Sequence, residues 1–175
     1  VMWPDVSYAP WDREVSLYAS HFLIYAEKSG VRVSDAVKKK VRGFLAKWAV
    51  STNNNESAYA LHTLALAGRS DKDQMFRLYD ARERLSLLSR ARLASAFAEI
   101  GDRERAKTLL ANALSPASVK EAAFAVFAML ELDPTDARIL ELVKYLQDRR
   151  DRSRYCWGTT GENAHALMAI AEYYR

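Results

Sequence analysis

Residues 59–67 read YALHTLALA, a stretch whose apolar side chains would fall on every side of a helix. Two later stretches have the same character: AAFAVFAML at 122–130 and HALMAIA at 165–171. Because a helix that is apolar all round is surrounded by protein, the sequence predicts that helices of this kind, the odd-numbered ones in chain order, are interior. No segment alternates convincingly between apolar and polar residues, so we predict no β-sheet.

Between these stretches lie helical patterns of a different kind, which are charged along one side. Examples are VKKKVR at 37–42 and ILELVKYL at 139–146. Such amphipathic helices bury one stripe and expose the other. Strict alternation of buried and half-buried helices, joined by short turns, predicts two layers built from stacked αα hairpins.

Apolar spacing, capping residues and glycine stops divide the chain into nine helical stretches. Ser34 and Asp102 are predicted N-caps, and Gly30, Gly68 and Gly101 are predicted stops. The predicted stretches cover about 12–28, 34–50, 56–67, 72–80, 85–100, 102–114, 118–132, 135–149 and the segment from 160 to the end.

A loose internal repeat links the first and third stretches. The pattern YAxHxL occurs at 18–23 and again at 59–64, which predicts that His21 and His62 face the same seam. Interior helices begin roughly 30 to 40 residues apart, the period of a helical-hairpin repeat, but too unevenly for a tetratricopeptide array. We therefore predict an all-α fold, an α/α toroid or an arc of one with about nine helices in two layers.

Composition fits one helical domain over residues 1–175, half of which are hydrophobic. No apolar run approaches the roughly 20 residues that span a bilayer, and residues 1–4 do not resemble a signal peptide. We expect no membrane contact by this segment. The abrupt beginning suggests an excised fragment of a longer protein.

The net charge of +4 arises from 26 basic and 22 acidic residues that are interleaved along the chain. Two basic clusters, at 38–42 and 149–154, are interpreted as solvated faces because no stacking aromatic residues alternate with the charges. We expect no nucleic-acid partner.

Several residues are candidates for chemistry. Cys156 is the only cysteine, and its place between Tyr155 and Trp157 favours a packed thiol over a nucleophile. His21, His62 and His165 lack the i, i+4 spacing of a helical zinc site, which favours core histidines over metal ligands.

The aspartates and tryptophans also allow both a structural and a functional interpretation. The acids at 71–73 and 133–136 resemble helix caps more than a cyclase's aspartate cluster. We expect Trp3 and Trp11 to pack against helices of the toroid that this chain lacks. A ligand-stacking role is the alternative for all four tryptophans, Trp3, Trp11, Trp48 and Trp157. Thr160 is the predicted N-cap of the last helix. We assign no catalytic, cofactor-binding or metal-binding residue.

Three stretches together carry a resemblance to a known family. They are MWPD at 2–5 followed by SLYASHFLIYAEKSG at 16–30, YALHTLALAG at 59–68, and WGTTGENA at 157–164. In order and spacing they resemble the thioester domain of bacterial α2-macroglobulin-like proteins. The resemblance covers nearly the whole chain, although no single motif is diagnostic.

The resemblance implies a protease trap, in which a Cys-x-Glu-Gln motif forms an internal thioester that acylates the attacking protease. Here the only cysteine, Cys156, is followed by Trp157, Gly158 and Thr159, so the reactive motif is missing. We therefore expect a non-enzymatic scaffold part of such an inhibitor, needing no cofactor. Its partners would be the other domains of the parent and, through it, proteases.

The family resemblance also implies a periplasmic, cell-surface or extracellular location for the parent. The alternative function is a helical-hairpin repeat scaffold that binds a protein or peptide on its concave face. An enzyme ranks third.

Overall fold

The computed structural model describes residues 10–151 and 156–175, with side chains from residue 13 onwards. Within these ranges there are nine α-helices and one short 3-10 helix, Arg82–Arg84. The α-helices are α1 Pro10–Lys28, α2 Asp35–Ala49, α3 Asn54–Leu66, α4 Lys72–Asp80, α5 Leu87–Glu99, α6 Arg103–Leu109, α7 Val119–Leu132, α8 Ala137–Asp148 and α9 Thr160–Tyr173. An isolated bridge joins Asp151 to Cys156, and no strand occurs in the described ranges. The all-α prediction is confirmed.

Side-chain N-caps begin each helix from α2 to α9, since each cap oxygen accepts a bond from a first-turn amide. The predicted caps Ser34 and Asp102 are confirmed. The prediction for α9 is wrong by one residue, because Thr159 is the cap and Thr160 is already helical. Thr159 and Glu162 form a reciprocal capping box, which fixes this register.

Glycines end several helices in the left-handed conformation, as Gly101 shows after α5. Its φ is +82°, its N–H donates to Ala98 O at 2.9 Å, and the N–H of Asp102 donates to Phe97 O at 2.9 Å. This pair of bonds is the Schellman motif, in which a residue without a Cβ avoids a steric penalty. The predicted stop is confirmed.

We expect Gly101→Ala to destabilise the fold by about 1–2 kcal/mol, because an L side chain is strained at this φ. Gly43 is a matched control: it lies inside α2, and a Cβ there would meet nothing within 4 Å. Gly43→Ala should instead stabilise by about 0.5–1 kcal/mol. Urea unfolding of both variants measures the difference, and two effects of the same sign would contradict this account.

The odd-numbered helices pack against one another in chain order, from α1 to α3, α5, α7 and α9. The even-numbered helices make their main contacts with the odd helices next to them in sequence. We call the odd helices the inner row. Residues 57–65 of α3 are all buried, whereas α8 buries only a stripe that includes Ile139, Leu142 and Leu146. The predicted contrast is confirmed for α3 and α7, but it is wrong for α9, in which only Ala166 and Ala169 are buried while Leu167 and Met168 are exposed.

Cross-helix bonds show that the inner helices run in the same direction. At their N-terminal ends, Ser86 Oγ donates to Asn55 Oδ1 at 3.0 Å, which links the start of α5 to α3. The N–H of Leu88 donates to Glu121 Oε1 at 3.4 Å, which links α5 to the start of α7. At the C-terminal ends, Lys28 Nζ lies 3.2 Å from Glu99 Oε1. Parallel inner helices follow from αα hairpins that repeat along the chain.

One predicted boundary is clearly wrong. The sixth stretch was predicted to reach Leu114, but α6 ends at Leu109 and a turn follows. Leu110 and Ala113 are nevertheless fully buried, so the apolar spacing continues through residues that are not helical. Among the described helices, none is long and apolar enough to cross a membrane.

Candidate functional site

One cluster of polar and aromatic side chains draws members from all five helices of the inner row. We call it the central cluster, and define it as His21 of α1, Tyr59 and His62 of α3, Arg92 of α5, Phe124 of α7 and His165 of α9. It lies at the level of the middle turns of these helices. The packing of the whole inner row therefore determines its geometry.

Two histidines of the cluster lie face to edge, as the internal repeat predicted. The ring centroids of His21 and His62 are 5.3 Å apart, which confirms that they share a seam. His21 Nδ1 lies 3.3 Å from the hydroxyl of Tyr59, within hydrogen-bond distance. His62 is buried, and its Nδ1 has no hydrogen-bond partner among the described residues.

Both of these histidines are neutral at pH 7. Burial lowers the pKa of His21 to about 4, with further lowering by the charges of Arg92 and His165. Burial likewise lowers the pKa of His62 well below its ordinary value, with help from His21 and Arg92. The pKa of the Tyr59 hydroxyl is raised by burial, so it also stays neutral.

Arg92 is the charged member of the cluster, and only 3% of its surface is exposed. Its guanidinium carbon lies 3.8 Å from the centroid of the Tyr59 ring and 4.7 Å from that of Phe124. Nη1 donates to the backbone oxygen of Asn55 at 3.4 Å. Burial lowers the pKa of Arg92 to about 10, partly offset by Tyr59 and Glu14, so the group remains protonated at pH 7.

An ion pair lies beside the cluster near the N-terminal end of the inner row. Lys120 of α7 donates to Glu14 Oε1 of α1. Burial raises the pKa of Glu14, but this pair and the positive charge of Arg92 lower it overall. Because the carboxylate already has a cation in contact, it is only a more distant counter-ion for Arg92.

With this geometry in view, the chain was compared with protein-family models, curated proteins and solved structures. None of the three comparisons finds a match. The chemistry open to the central cluster therefore follows from its own side chains. Neutral imidazoles, a neutral phenol and a buried guanidinium are groups suited to hydrogen bonding and to anion recognition.

The three histidines of the cluster are not grouped as metal ligands. In the part of the chain that the structure describes, no three His, Cys, Asp or Glu residues are grouped so that they could hold an ion. Its third histidine, His165, packs against Phe124 at 5.0 Å and against Tyr18 at 6.2 Å between ring centroids. These contacts are those of packed rings.

Cys156 lies outside the central cluster, in the connection between α8 and α9. It is half-buried, and its backbone oxygen accepts a bond from Asp151 N at 2.8 Å. The structure does not place Cys156 with the candidate bases His21, His62 and His165, which lie on α1, α3 and α9.

The aspartates that were compared with a cyclase's aspartate cluster lie at helix ends. Asp71 caps α4 and Asp136 caps α8, while Asp133 ends α7 and accepts a bond from Thr135 N at 3.0 Å. The capping interpretation is confirmed for Asp71 and Asp136. Asp73 lies in the first turn of α4.

The tryptophans are dispersed. Trp157 is buried, and its Nε1 donates to Leu146 O at 2.5 Å, while Trp48 stacks against Arg13 at 5.0 Å. Trp3 and the side chain of Trp11 lie outside the described residues, so the expectation that they pack against a ring stays a prediction. The structure brings Trp48 and Trp157 to no common site.

The sequence reasoning missed Arg92 and the Glu14–Lys120 pair. A signal was present for Arg92, since it lies within the Ala- and Leu-rich stretch LLSRARLASAFAE of α5. Arg90 stands two residues earlier in the same stretch and is only half-buried. Sequence alone does not say which of the two arginines faces the interior.

Proposed function

We propose that the domain is an arc of an α/α toroid, with the odd helices on the inside. Packed helix axes lie about 8–10 Å apart, so a straight row of five would separate its first and last members by more than about 30 Å. Tyr18 of α1 and His165 of α9 nevertheless have ring centroids 6.2 Å apart. This contact, together with the Glu14–Lys120 pair, supports a strongly curved inner row.

We further propose that this arc is a non-enzymatic scaffold within the thioester domain of an α2-macroglobulin-like protease trap. Two stretches that carry the family resemblance have structural roles: residues 59–65 belong to the buried part of α3, and residues 157–164 form the capped start of α9. The chain holds no Cys-x-Glu-Gln motif. The reactive thioester would then belong to another part of the parent, in a periplasmic or cell-surface setting.

The observation that carries this proposal is an apolar stripe on α1. Val15, Tyr18, Phe22 and Tyr25 recur at helical spacing and are 47–63% exposed. On α9, Leu167 and Met168 are similarly exposed. Such contiguous apolar surface marks an interaction site, and here it lies on the first and last helices of the inner row. Other helices of the parent's thioester domain are the proposed occupants.

The test uses the full-length parent protein and methylamine, which reacts with an internal thioester. We expect one methylamine to be incorporated per molecule, and protease trapping to be lost afterwards. The double variant Phe22→Ser/Tyr25→Ser should lower the fraction of molecules that hold a reactive thioester, because the apolar contact that shields it is weakened. Leu140→Ser is the matched control, since Leu140 is 42% exposed on the even helix α8.

A parent that incorporates no methylamine would contradict the trap proposal. Equal effects of the stripe variant and the Leu140→Ser control would contradict the role given to α1.

A peptide-binding helical-hairpin scaffold is the second candidate, and the aromatic residues of the same α1 stripe favour it. It makes a different prediction. The 175-residue chain alone would bind apolar peptides, and Phe22→Ser/Tyr25→Ser would abolish that binding whether or not the parent reacts with methylamine.

A further inference from the structure

Arg92 is a buried charge without a contacting counter-ion among the described residues. Its side chain is 3% exposed. The carboxylate of Glu14 attracts it through space, but this carboxylate is in contact with Lys120. A buried ion without a partner is costly, so such groups are normally paired. The neutral histidines beside it do not supply a negative charge.

The donors that remain free on Arg92 form one edge of its guanidinium. Nη1 donates to Asn55 O, whereas Nε and Nη2 have no hydrogen-bond partner among the residues that the structure describes. These two N–H groups point the same way and match the two oxygens of a carboxylate in a bidentate pair. The unsatisfied edge is therefore specific in shape as well as in charge.

Two aromatic rings pack on the guanidinium of Arg92, and its unsatisfied edge is buried from solvent. Tyr59 and Phe124 lie 3.8 Å and 4.7 Å from the guanidinium carbon, at distances typical of a cation over aromatic rings. The neighbouring surface is formed by α1, where the Glu14 and Tyr18 side chains are exposed and interact electrostatically with the Arg92–Tyr59 pair. A carboxylate would therefore reach this edge only when exposed side chains of α1 move aside, which they can do without disturbing the core.

We propose that Arg92 is a carboxylate-binding residue, whose Nε and Nη2 take up the two oxygens of a carboxylate that enters along α1. The ligand is a free small organic acid or an acidic side chain of another protein segment, and the chemistry that binds it is the same. This site is independent of the proposed protease trap, since it does not need the thioester.

Acetate and N-acetylglutamate amide are the probes, with acetamide and N-acetylglutamine amide as their uncharged twins. The 175-residue chain labelled with nitrogen-15 is titrated with each compound while the Nε–H resonance of Arg92 is followed by NMR. We expect a saturable shift of this resonance with both acids and none with the amides. Tighter binding of N-acetylglutamate amide would identify a protein side chain as the source, and tighter binding of acetate a free acid.

Three variants test whether binding of the acids depends on Arg92. Arg92→Met should abolish the rise in melting temperature that the acids give the unaltered chain, yet remain folded, because an apolar side chain of similar length replaces a buried ion. Arg92→Lys keeps the charge but loses the two-pronged edge, so affinity should fall at least about tenfold. Arg90→Met is the control on the same helix and should respond like the unaltered chain.

Three results would overturn the proposal. One is the absence of any saturable shift with either acid. Another is a rise in melting temperature with the acids that is as large in Arg92→Met as in the unaltered chain. The third is a displaced Arg92 resonance in the unliganded chain that reverts in Glu14→Gln, since Glu14 would then be the partner of Arg92 within the molecule.

Discussion

Acidification from pH 6.5 to pH 4 is expected to reduce the free energy of unfolding by about 3 kcal/mol through His21 alone. The ordinary pKa of histidine is about 6.5, and each pKa unit corresponds to about 1.4 kcal/mol. In the folded chain, burial lowers the pKa of His21 to about 4. His62 acts in the same direction, because its pKa is also lowered by burial.

The sign follows from which state binds protons more readily. In this range the unfolded histidines take up protons while the folded ones resist, so stability is full above pH 6.5 and falls as the pH drops towards 4. The groups that face His21 do not compensate a new charge. They are Tyr59 and His62 on α3, Arg92 on α5 and His165 on α9.

Urea unfolding between pH 7 and pH 4.5 measures this dependence. The double variant His21→Gln/His62→Leu should lose less stability on acidification than the unaltered chain, because neither replacement titrates. Two other groups act within this window: burial lowers the pKa of His165, which adds to the loss, and raises the pKa of Glu131 to about 7, which opposes it because the folded chain then binds the proton more readily. Both groups remain in the double variant, so the difference between the two chains isolates His21 and His62. An equally steep loss in the double variant would show that the histidines are not its cause.

The helices could be predicted from the sequence because their signals are local. Ser34, Asp71 and Asp102 cap helices through bonds to amides three residues away, and Gly101 ends α5 through its own φ. The α6 boundary failed for a tertiary reason. Leu110 and Ala113 keep an apolar spacing because the turn after α6 is itself packed into the core.

The central cluster was only partly predictable. His21 and His62 could be paired because they hold equivalent positions in the repeat, which fixes their register on α1 and α3. Arg92 could not be placed there, because its partners Tyr59 and Phe124 lie about 30 residues away on either side. Contacts of that kind depend on how five helices are packed, and no single helical pattern encodes them.

Tyr59→Ala is expected to destabilise the fold by about 3–5 kcal/mol, the usual cost of deleting a buried aromatic ring. Tyr59 is 2% exposed, and its ring lies 6.3 Å from that of Phe124 and 5.6 Å from that of His21, in addition to covering Arg92. Its removal leaves a cavity bordered by a charge and by two histidines. The cluster would lose the ring that contacts most of its members.

Tyr59→Phe separates packing from hydrogen bonding at the same position. It keeps the ring but removes the hydroxyl that lies 3.3 Å from His21 Nδ1, so a loss of only about 1 kcal/mol is expected. Urea unfolding at pH 7 compares the two variants with the unaltered chain. A loss in Tyr59→Phe as large as that in Tyr59→Ala would mean that the polar contact, rather than the packing of the ring, holds the inner row together. Since Tyr59 contacts side chains of α1, α5 and α7, a ring-dominated result would make it the residue through which the inner helices keep their parallel arrangement.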